Sequence, residues 1–380
     1  MTPDFEVAVI GLGGIGRAAL AHCAARGARV VGFEQFEATH ERGSSTGRSR
    51  LIRKAYFEDP AYVPLLLRAY DLWRELEQAS GAEILTLTGL LLVGKPYSPV
   101  ITGAQRAAAE HDLALEILSG EEIQGRYPAV RVWPQEIGVS EPDGGVLVPE
   151  RANAAHLRVA TEAGAEAHFE SAVIGWKKRA AGYEITLADG RCFNARALVL
   201  TQGPWLARAL ALPLRVQRNV QAWFAPLSGG FTPEKFPPFL LERAGLPAPL
   251  YGFPDFGSGI KVAFHAHGEW GEFAEFDRAI DPARDIAPIV AAMEQWIPGA
   301  AARFLEAKAC PYTMTPDGHF VVDRHPEDER VIVCGGFSGH GFKFAPVIGE
   351  IAADLALTGT TRHDIRFLSA RRFAPGASPR

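Results

Sequence analysis

Apolar residues recur along this chain in two kinds of pattern. Val7–Ile10, Val30–Phe33, Ala197–Leu200 and Val331–Cys334 are short, near-continuous apolar runs, as expected of strands buried on both faces. Between the first two, Ile15–Arg26 is dominated by Ala, Leu and straight-chain residues, and Gly27 stands where a helix stop belongs. Residues 7–34 therefore predict one βαβ unit ending at Glu34. A longer helix is predicted over Tyr62–Gln78, where Leu66, Ala69, Trp73 and Leu76 share one stripe. Ser171–Trp176 and Tyr183–Leu187 read as strands split by Ala180-Ala181-Gly182, and Asp189-Gly190 marks another tight turn. Residues 215–270 alternate in short stretches rich in Phe, Pro and Gly, which predicts an antiparallel sheet. Residues 83–150 mix strand, helix and loop signals. A last helix is expected from Ala345 to Leu357, and a loose tail over Phe373–Arg380.

Composition narrows the classes. The 380 residues suggest two to three domains at about 150 residues each. A hydrophobic fraction of 47% excludes wholesale disorder. Lys and Arg number 39 against 44 Asp and Glu, a net charge of −5 that leaves no general basic face for nucleic acid. Four cysteines are too few for a disulfide framework in a chain this long, so a reducing compartment is expected. No secretory signal and no apolar run of membrane-spanning length is read. The expectation is a soluble, cytoplasmic, multidomain protein with neither nucleic acid nor membrane as partner.

The turn after the first strand reads Gly11-Leu12-Gly13-Gly14-Ile15-Gly16. This is G-x-G-x-x-G in the context that gives the motif meaning: strand before, helix after, an acid at the end of the second strand. Gly11 permits the tight turn, Gly13 lets backbone approach a pyrophosphate, and Gly16 lets helix and strand pack closely. The helix N-terminus offers N–H groups to phosphate. Glu34 is placed to accept from ribose hydroxyls, and its charge disfavours a 2′-phosphate. The motif leaves NAD and FAD both open. A polar Gly/Arg loop at Arg42–Arg53 follows, and a second glycine-rich segment lies far away at Val331–Lys343. A nucleotide domain assembled from distant segments favours FAD, by fold analogy.

Several runs carry a family resemblance. They are Gly43–Arg53 (G-S-x-x-G-x-S-R-x-I-R), Tyr62-Val63-Pro64-Leu65, Tyr251-Gly252-Phe253-Pro254, the Ala-Cys-x-Tyr run around Cys310, and Gly336–Phe344. With them the chain resembles, over nearly its whole length, the monomeric sarcosine oxidase/N-methyltryptophan oxidase family. These are FAD-dependent amine oxidases of the glycine oxidase/D-amino-acid oxidase superfamily. The resemblance implies an α/β fold: a Rossmann-like FAD-binding domain (residues 1–80, 147–210 and 309–380) and a substrate domain on a mostly antiparallel sheet with helices (81–146 and 211–308). It implies a monomer acting on a small amino acid with dioxygen as acceptor. A secondary (N-methyl) amino acid such as sarcosine would be oxidised to an imine, then hydrolysed to aldehyde and primary amine, with hydrogen peroxide formed. Alternatives are oxidation or dehydrogenation of a cyclic imino acid such as proline or pipecolate, oxidation of N-methyltryptophan, and, more remotely, a NAD-linked dehydrogenase.

The resemblance also implies roles. Cys310 would hold FAD through a thioether, a reaction of the thiolate that a nearby cation favours. Lys261, in the apolar run Gly259–Ala263, would serve dioxygen, because a fixed cation stabilises the negative charge that develops as oxygen is reduced. Arg50 would support negative charge near the flavin, and His265 and Tyr251 would shape the pocket. Arg53 and Lys343 would hold the substrate carboxylate, one as a planar fork and one as a point charge. The cofactor would touch Gly11, Gly13, Gly14, Ile15, Gly16, Glu34, Ser44, Ser49, Arg50, Val173, Gly203, Cys310, Gly339 and Lys343. His265 and His267 form an H-x-H pair that a strand would place on one face, but no third ligand motif is nearby and no metal is expected. The chain departs from these relatives at Ser45 and Thr46, where they carry adjacent histidines, and at Arg48, where they carry an acid. The apolar segment Leu240–Leu250 also differs and is expected at the substrate entrance.

Overall fold

The four apolar runs end up side by side. In the computed structural model, which describes residues 3–209, 212–271, 273 and 276–373, they are the strands Val30–Phe33, Phe5–Ile10, Cys192–Leu200 and Asp328–Gly335, adjacent and parallel in that order. Val7 lies opposite Val30 on one side and Ala197 on the other, and Val199 lies opposite Ile332. Val7 and Val9 pack into one apolar cluster while Ala8 and Ile10 pack into another. Both faces of the sheet are therefore covered, which is why these strands do not alternate with polar residues. Glu166–His168 extends one edge, and Val321–His325 pairs antiparallel with Asp328–Gly335 at the other. The antiparallel hairpin of Val173–Arg179 with Gly182–Leu187 pairs with the first half of Cys192–Leu200. The predicted tail beyond Phe373 lies outside the described residues.

Helices Gly14–Ala25 and Ala345–Thr358 cover one face. They approach closely at Gly349, where an added Cβ would stand 2.6 Å from Ala18. The helix Val63–Ser80 buries the stripe Leu66, Ala69, Trp73 and Leu76 as its spacing predicts. It begins one residue later than expected, after a tight turn at Pro60–Tyr62 capped by Asp59. Trp73 Nε1 donates to the carbonyl of Lys343 at 2.9 Å, tying this helix to the distant glycine-rich segment.

A second sheet of nine strands stands beside the first. Its strands Arg215–Ala225, Phe239–Leu241, Leu250–Phe253 and Ile260–Phe264 come from the region that predicts an antiparallel sheet, and they pair antiparallel among themselves. Three further strands come from the mixed region 83–150, and Phe239–Leu241 pairs with one of them, Leu90–Gly94, in parallel. Arg303–Met314 runs antiparallel along the whole of Arg215–Ala225, with Cys310 opposite Asn219. A small sheet of Arg50–Ile52, Gly145–Leu147 and Leu85–Leu87 fixes the strand that carries Arg50. Among the described residues no helix is long and apolar enough to cross a membrane.

Candidate active site

Two cavities meet at Arg50, Tyr312, Gly339 and Phe342. The larger, of about 670 Å³, starts at the first glycine turn. Gly11, Gly13, Gly14, Ile15, Glu34, Ser44, Arg50, Val173, Gly203, Cys310 and Gly339 all line it. Three residues expected at the cofactor do not. Gly16 stands behind the wall, where an added Cβ would be 1.8 Å from the Gly11 carbonyl oxygen. Its role is the close packing of helix on strand. Ser49 is buried and turns its carbonyl to Lys261 and Arg50. Lys343 lines the smaller cavity instead.

The larger cavity fits a dinucleotide. Gly11 has φ +96, and a Cβ there would meet the Thr201 carbonyl at 2.7 Å, so only glycine makes the turn. Glu34 accepts from the backbone N–H of Leu12 (3.0 Å) and of Phe36 (3.2 Å), which aims its carboxylate into the cavity with lone pairs to spare. Asn153 Oδ1 and Gln202 Oε1 also stand in the wall, buried and without a protein donor among the described residues. Such acceptors suit hydroxyl or ring N–H donors of a bound group. Ser45, at a position where the resemblance expects histidine, accepts from Gly14 N–H at 3.0 Å, and its carbonyl accepts from Asn153.

Cys310 faces this cavity from the strand Arg303–Met314. Burial pushes its thiol pKa up, and Arg50, Lys261 and Arg278 pull it down. Burial in the core pushes Cys23 and Cys334 to about 12; Arg26 offsets this only in part at Cys23, and burial acts alone at Cys334. Cys192 is exposed.

The smaller cavity, of about 70 Å³, brings together Arg53, Lys343, Tyr251 and His265, with Leu240 and Phe253 among its apolar walls. Arg53 is buried against the rings of Phe57 and Tyr56, at 4.2 and 4.5 Å from their centroids. Its Nη2 donates to both oxygens of Glu58 at 2.6 Å, while Nη1 has no protein partner among the described residues. Burial pushes the Glu58 carboxyl up, but Arg53, with His340 and Lys343, holds it down at about 2. Lys343 donates to the carbonyl of His340 at 2.8 Å. Burial first, then Arg53, lowers its pKa to about 7 against the pull of Glu58. Burial likewise lowers His265 to about 4, so its imidazole is neutral at neutral pH. Three cations therefore face this space (Arg50, Arg53 and Lys343) with one carboxylate, Glu58. A buried positive excess asks for an anionic ligand.

Lys261 lines neither cavity. It is 2% exposed, and Nζ donates to the carbonyls of Gly47 and Ser49 at 2.8 Å each, with the rings of Phe253 and Trp223 beside it. The histidine pair also differs from expectation. The strand ends at Phe264, and Ala266 takes φ +51, so the period-two alternation is lost. His265 turns to Tyr251 and Tyr312, whereas exposed His267 packs on Phe264. Among the described residues no group of three or more His, Cys, Asp or Glu could hold a metal ion.

Sequence reasoning misses Glu58, His340 and Glu150. Glu58 carries a signal: it is an acid directly after the apolar run Ala55-Tyr56-Phe57, where a charge needs a partner. His340 lies inside a quoted motif. Its Nε2 faces the Gly318 carbonyl at 3.1 Å, so Nδ1 is left to accept from Tyr56. Glu150 has no local signal, since its partners lie about a hundred positions earlier in the chain.

Comparison with known proteins agrees with this geometry. Residues 6–355 match the family described as DAO, FAD dependent oxidoreductase. The chain is 44% identical to the monomeric sarcosine oxidase of Streptomyces avermitilis, over 98% of this chain and 99% of that one. It is 33% identical to the N-methyl-L-tryptophan oxidase of Yersinia pestis strain Pestoides F, over 97% and 100%. The fold is similar to that of L-proline dehydrogenase from P. horikoshii, with a TM-score of 0.86 at 21% identity and full coverage of both chains. A glycine-turn cavity of dinucleotide size, opening onto a cationic pocket, thus sits in a chain that belongs to the DAO family of FAD-dependent oxidoreductases.

Proposed function

We propose that this enzyme oxidises small secondary amino acids, sarcosine among them, to an imine that hydrolyses to aldehyde and primary amine, with dioxygen as acceptor and hydrogen peroxide as product. The observation that carries the reading is the smaller cavity: about 70 Å³, with apolar walls at Leu240 and Phe253 and a cationic side formed by Lys343 and by Arg53, whose Nη1 has no partner among the described residues. A space of that size suits a glycine derivative better than an indole, which favours sarcosine over N-methyltryptophan. Arg53 and Lys343 take the carboxylate from two directions. Tyr251, Tyr312 and neutral His265 wall the rest. Bound FAD supplies the two-electron acceptor, held by the glycine turn, Glu34, Val173 and Gly203, with Cys310 as its covalent anchor. Lys261 and Arg50 supply positive charge for the oxygen step. The FAD-binding part comprises residues 1–80, 147–210 and 309–380, and the substrate part 81–146 and 211–308. The protein works as a monomer in the cytoplasm.

A charge-assisted hydrogen bond contributes about 1.5–3 kcal/mol, or about 10- to 150-fold in affinity. Arg53→Met and Lys343→Met should each weaken a small carboxylate inhibitor by about that range, read from the change in flavin absorbance on titration. Peroxide should form with sarcosine and far less with N-methyltryptophan. Equal inhibitor affinity in all three proteins would place the acid end of the substrate elsewhere and remove the reading.

A further inference from the structure

The loop Gly47–Ser49 is gripped from two sides. Glu150, in the first turn of the helix Pro149–Glu162, uses one oxygen to accept from the backbone N–H of Gly47 (2.7 Å) and of Arg48 (3.0 Å). From the other side Lys261 Nζ donates to the carbonyls of Gly47 and Ser49. The peptide unit joining Gly47 to Arg48 takes part in both contacts: its N–H meets the carboxylate and its C=O meets the ammonium. Hydrogen bonds in series polarise one another. Carboxylate, peptide and ammonium thus form one line.

The backbone here is strained at Arg48. Gly47 has φ +100 and Arg48 has φ +63, the left-handed region that a residue with a Cβ rarely adopts. Successive N–H groups in such a turn form a concavity that suits an anion, and Glu150 fills it. The Arg48 side chain is occupied elsewhere, on Glu306 and over the Trp223 ring. The charged and titratable groups facing Lys261 are Arg48 and Arg50 from the loop, Cys310 from the strand Arg303–Met314 and Glu150 from the helix. Burial first, then Arg50 and Arg48, lowers the Lys261 pKa well below the ordinary lysine value, so the two accepting carbonyls are what favour and place an ammonium here.

We propose that Glu150 is a positioning residue, which by filling this concavity holds the two carbonyls that fix the Lys261 ammonium. The consequence for turnover rests on the reading of Lys261 as the group that serves dioxygen. The test uses the holoenzyme and the variants Glu150→Ala and Glu150→Gln. One oxygen takes both N–H groups, so the glutamine carbonyl can replace it without charge, whereas alanine cannot. The first readout is the Lys261 side-chain NMR signal in lysine-labelled protein, assigned with Lys261→Met. The second is the rate at which dioxygen reoxidises the reduced enzyme. In Glu150→Ala the signal should move and reoxidation should slow about five-fold or more, as expected for loss of two hydrogen bonds. Glu150→Gln should stay near the parent in both. An unmoved signal in Glu150→Ala overturns the proposal, as does a glutamine variant that behaves like alanine. If Lys261→Met reoxidises at the parent rate, the oxygen reading fails, and the NMR comparison still decides the place of Glu150.

Discussion

Lys343 is the residue whose charge the site controls most sensitively. Burial and Arg53 lower its pKa to about 7, and only the protonated form attracts a carboxylate. The sign follows directly. Below pH 7 the ammonium is present before the ligand arrives; above it, binding must first take up a proton. Affinity for a small carboxylate inhibitor should therefore be flat at pH 6 and fall towards ten-fold per pH unit above the pKa, since one proton is linked to binding. Lys343→Met should bind more weakly and lose the slope. Dissociation constants measured from pH 6 to 9 decide this, and a parent that shows no slope would contradict it. At this scale the sequence was readable where a residue type conflicts with its surroundings. Lys343 between two phenylalanines and Lys261 in an apolar strand both announce a purpose, and both are buried. Glu150 lies at the start of a helix, where an acid is ordinary, so nothing in its neighbourhood points to Gly47.

Elements were legible when their signal is local. The first βαβ unit, the Trp73 stripe and the hairpin after residue 173 follow from period and turn chemistry alone. The parallel pairing of Phe239–Leu241 with Leu90–Gly94 does not: short apolar strands look alike, and partner choice depends on the rest of the fold. The H-x-H pair misleads because Ala266 leaves the strand conformation between the two histidines. Glycines at element ends separate stability from function in the same way. Gly359 ends the helix Ala345–Thr358 with φ +79, and a Cβ there would find only the Arg324 side chain nearby, at 3.3 Å. Gly339 has φ +80, but its Cβ would stand 2.1 Å from the Tyr312 ring, which lines both cavities. Both alanine variants should lose about 1–2 kcal/mol through the left-handed backbone. Only Gly339→Ala should also weaken the carboxylate inhibitor, by about ten-fold if roughly 1.4 kcal/mol of ring displacement reaches the site. Thermal melts and inhibitor titrations of the pair test this, and equal inhibitor affinities would show that Tyr312 yields without consequence.

At the scale of the whole molecule, the larger cavity is a seam. Its wall takes the glycine turn from the chain start, Val173 and Gly203 from the middle, and Cys310 and Gly339 from near the end. The motifs predict the individual pieces of this wall; their meeting depends on the strand order Val30–Phe33, Phe5–Ile10, Cys192–Leu200, Asp328–Gly335, which no local signal specifies. A cofactor bound there joins segments that the chain alone keeps far apart, so it should stabilise the fold as a ligand that binds only the native state. For a dissociable ligand that stabilisation grows with concentration, by about 2.7 kcal/mol at a hundred-fold excess over Kd. The thioether proposed at Cys310 would remove the concentration dependence, because the cofactor would stay on the chain when it unfolds. The parent protein should therefore melt at one temperature whatever the added FAD, and acid precipitation should leave the yellow colour in the pellet. Cys310→Ala should release its flavin into the supernatant and melt at a temperature that climbs with the logarithm of added FAD, by a few degrees over a hundred-fold range. A parent whose melting point climbs with FAD as steeply as the variant's would mean that Cys310 only lines the cavity, and that this wall holds its cofactor by shape and hydrogen bonds alone.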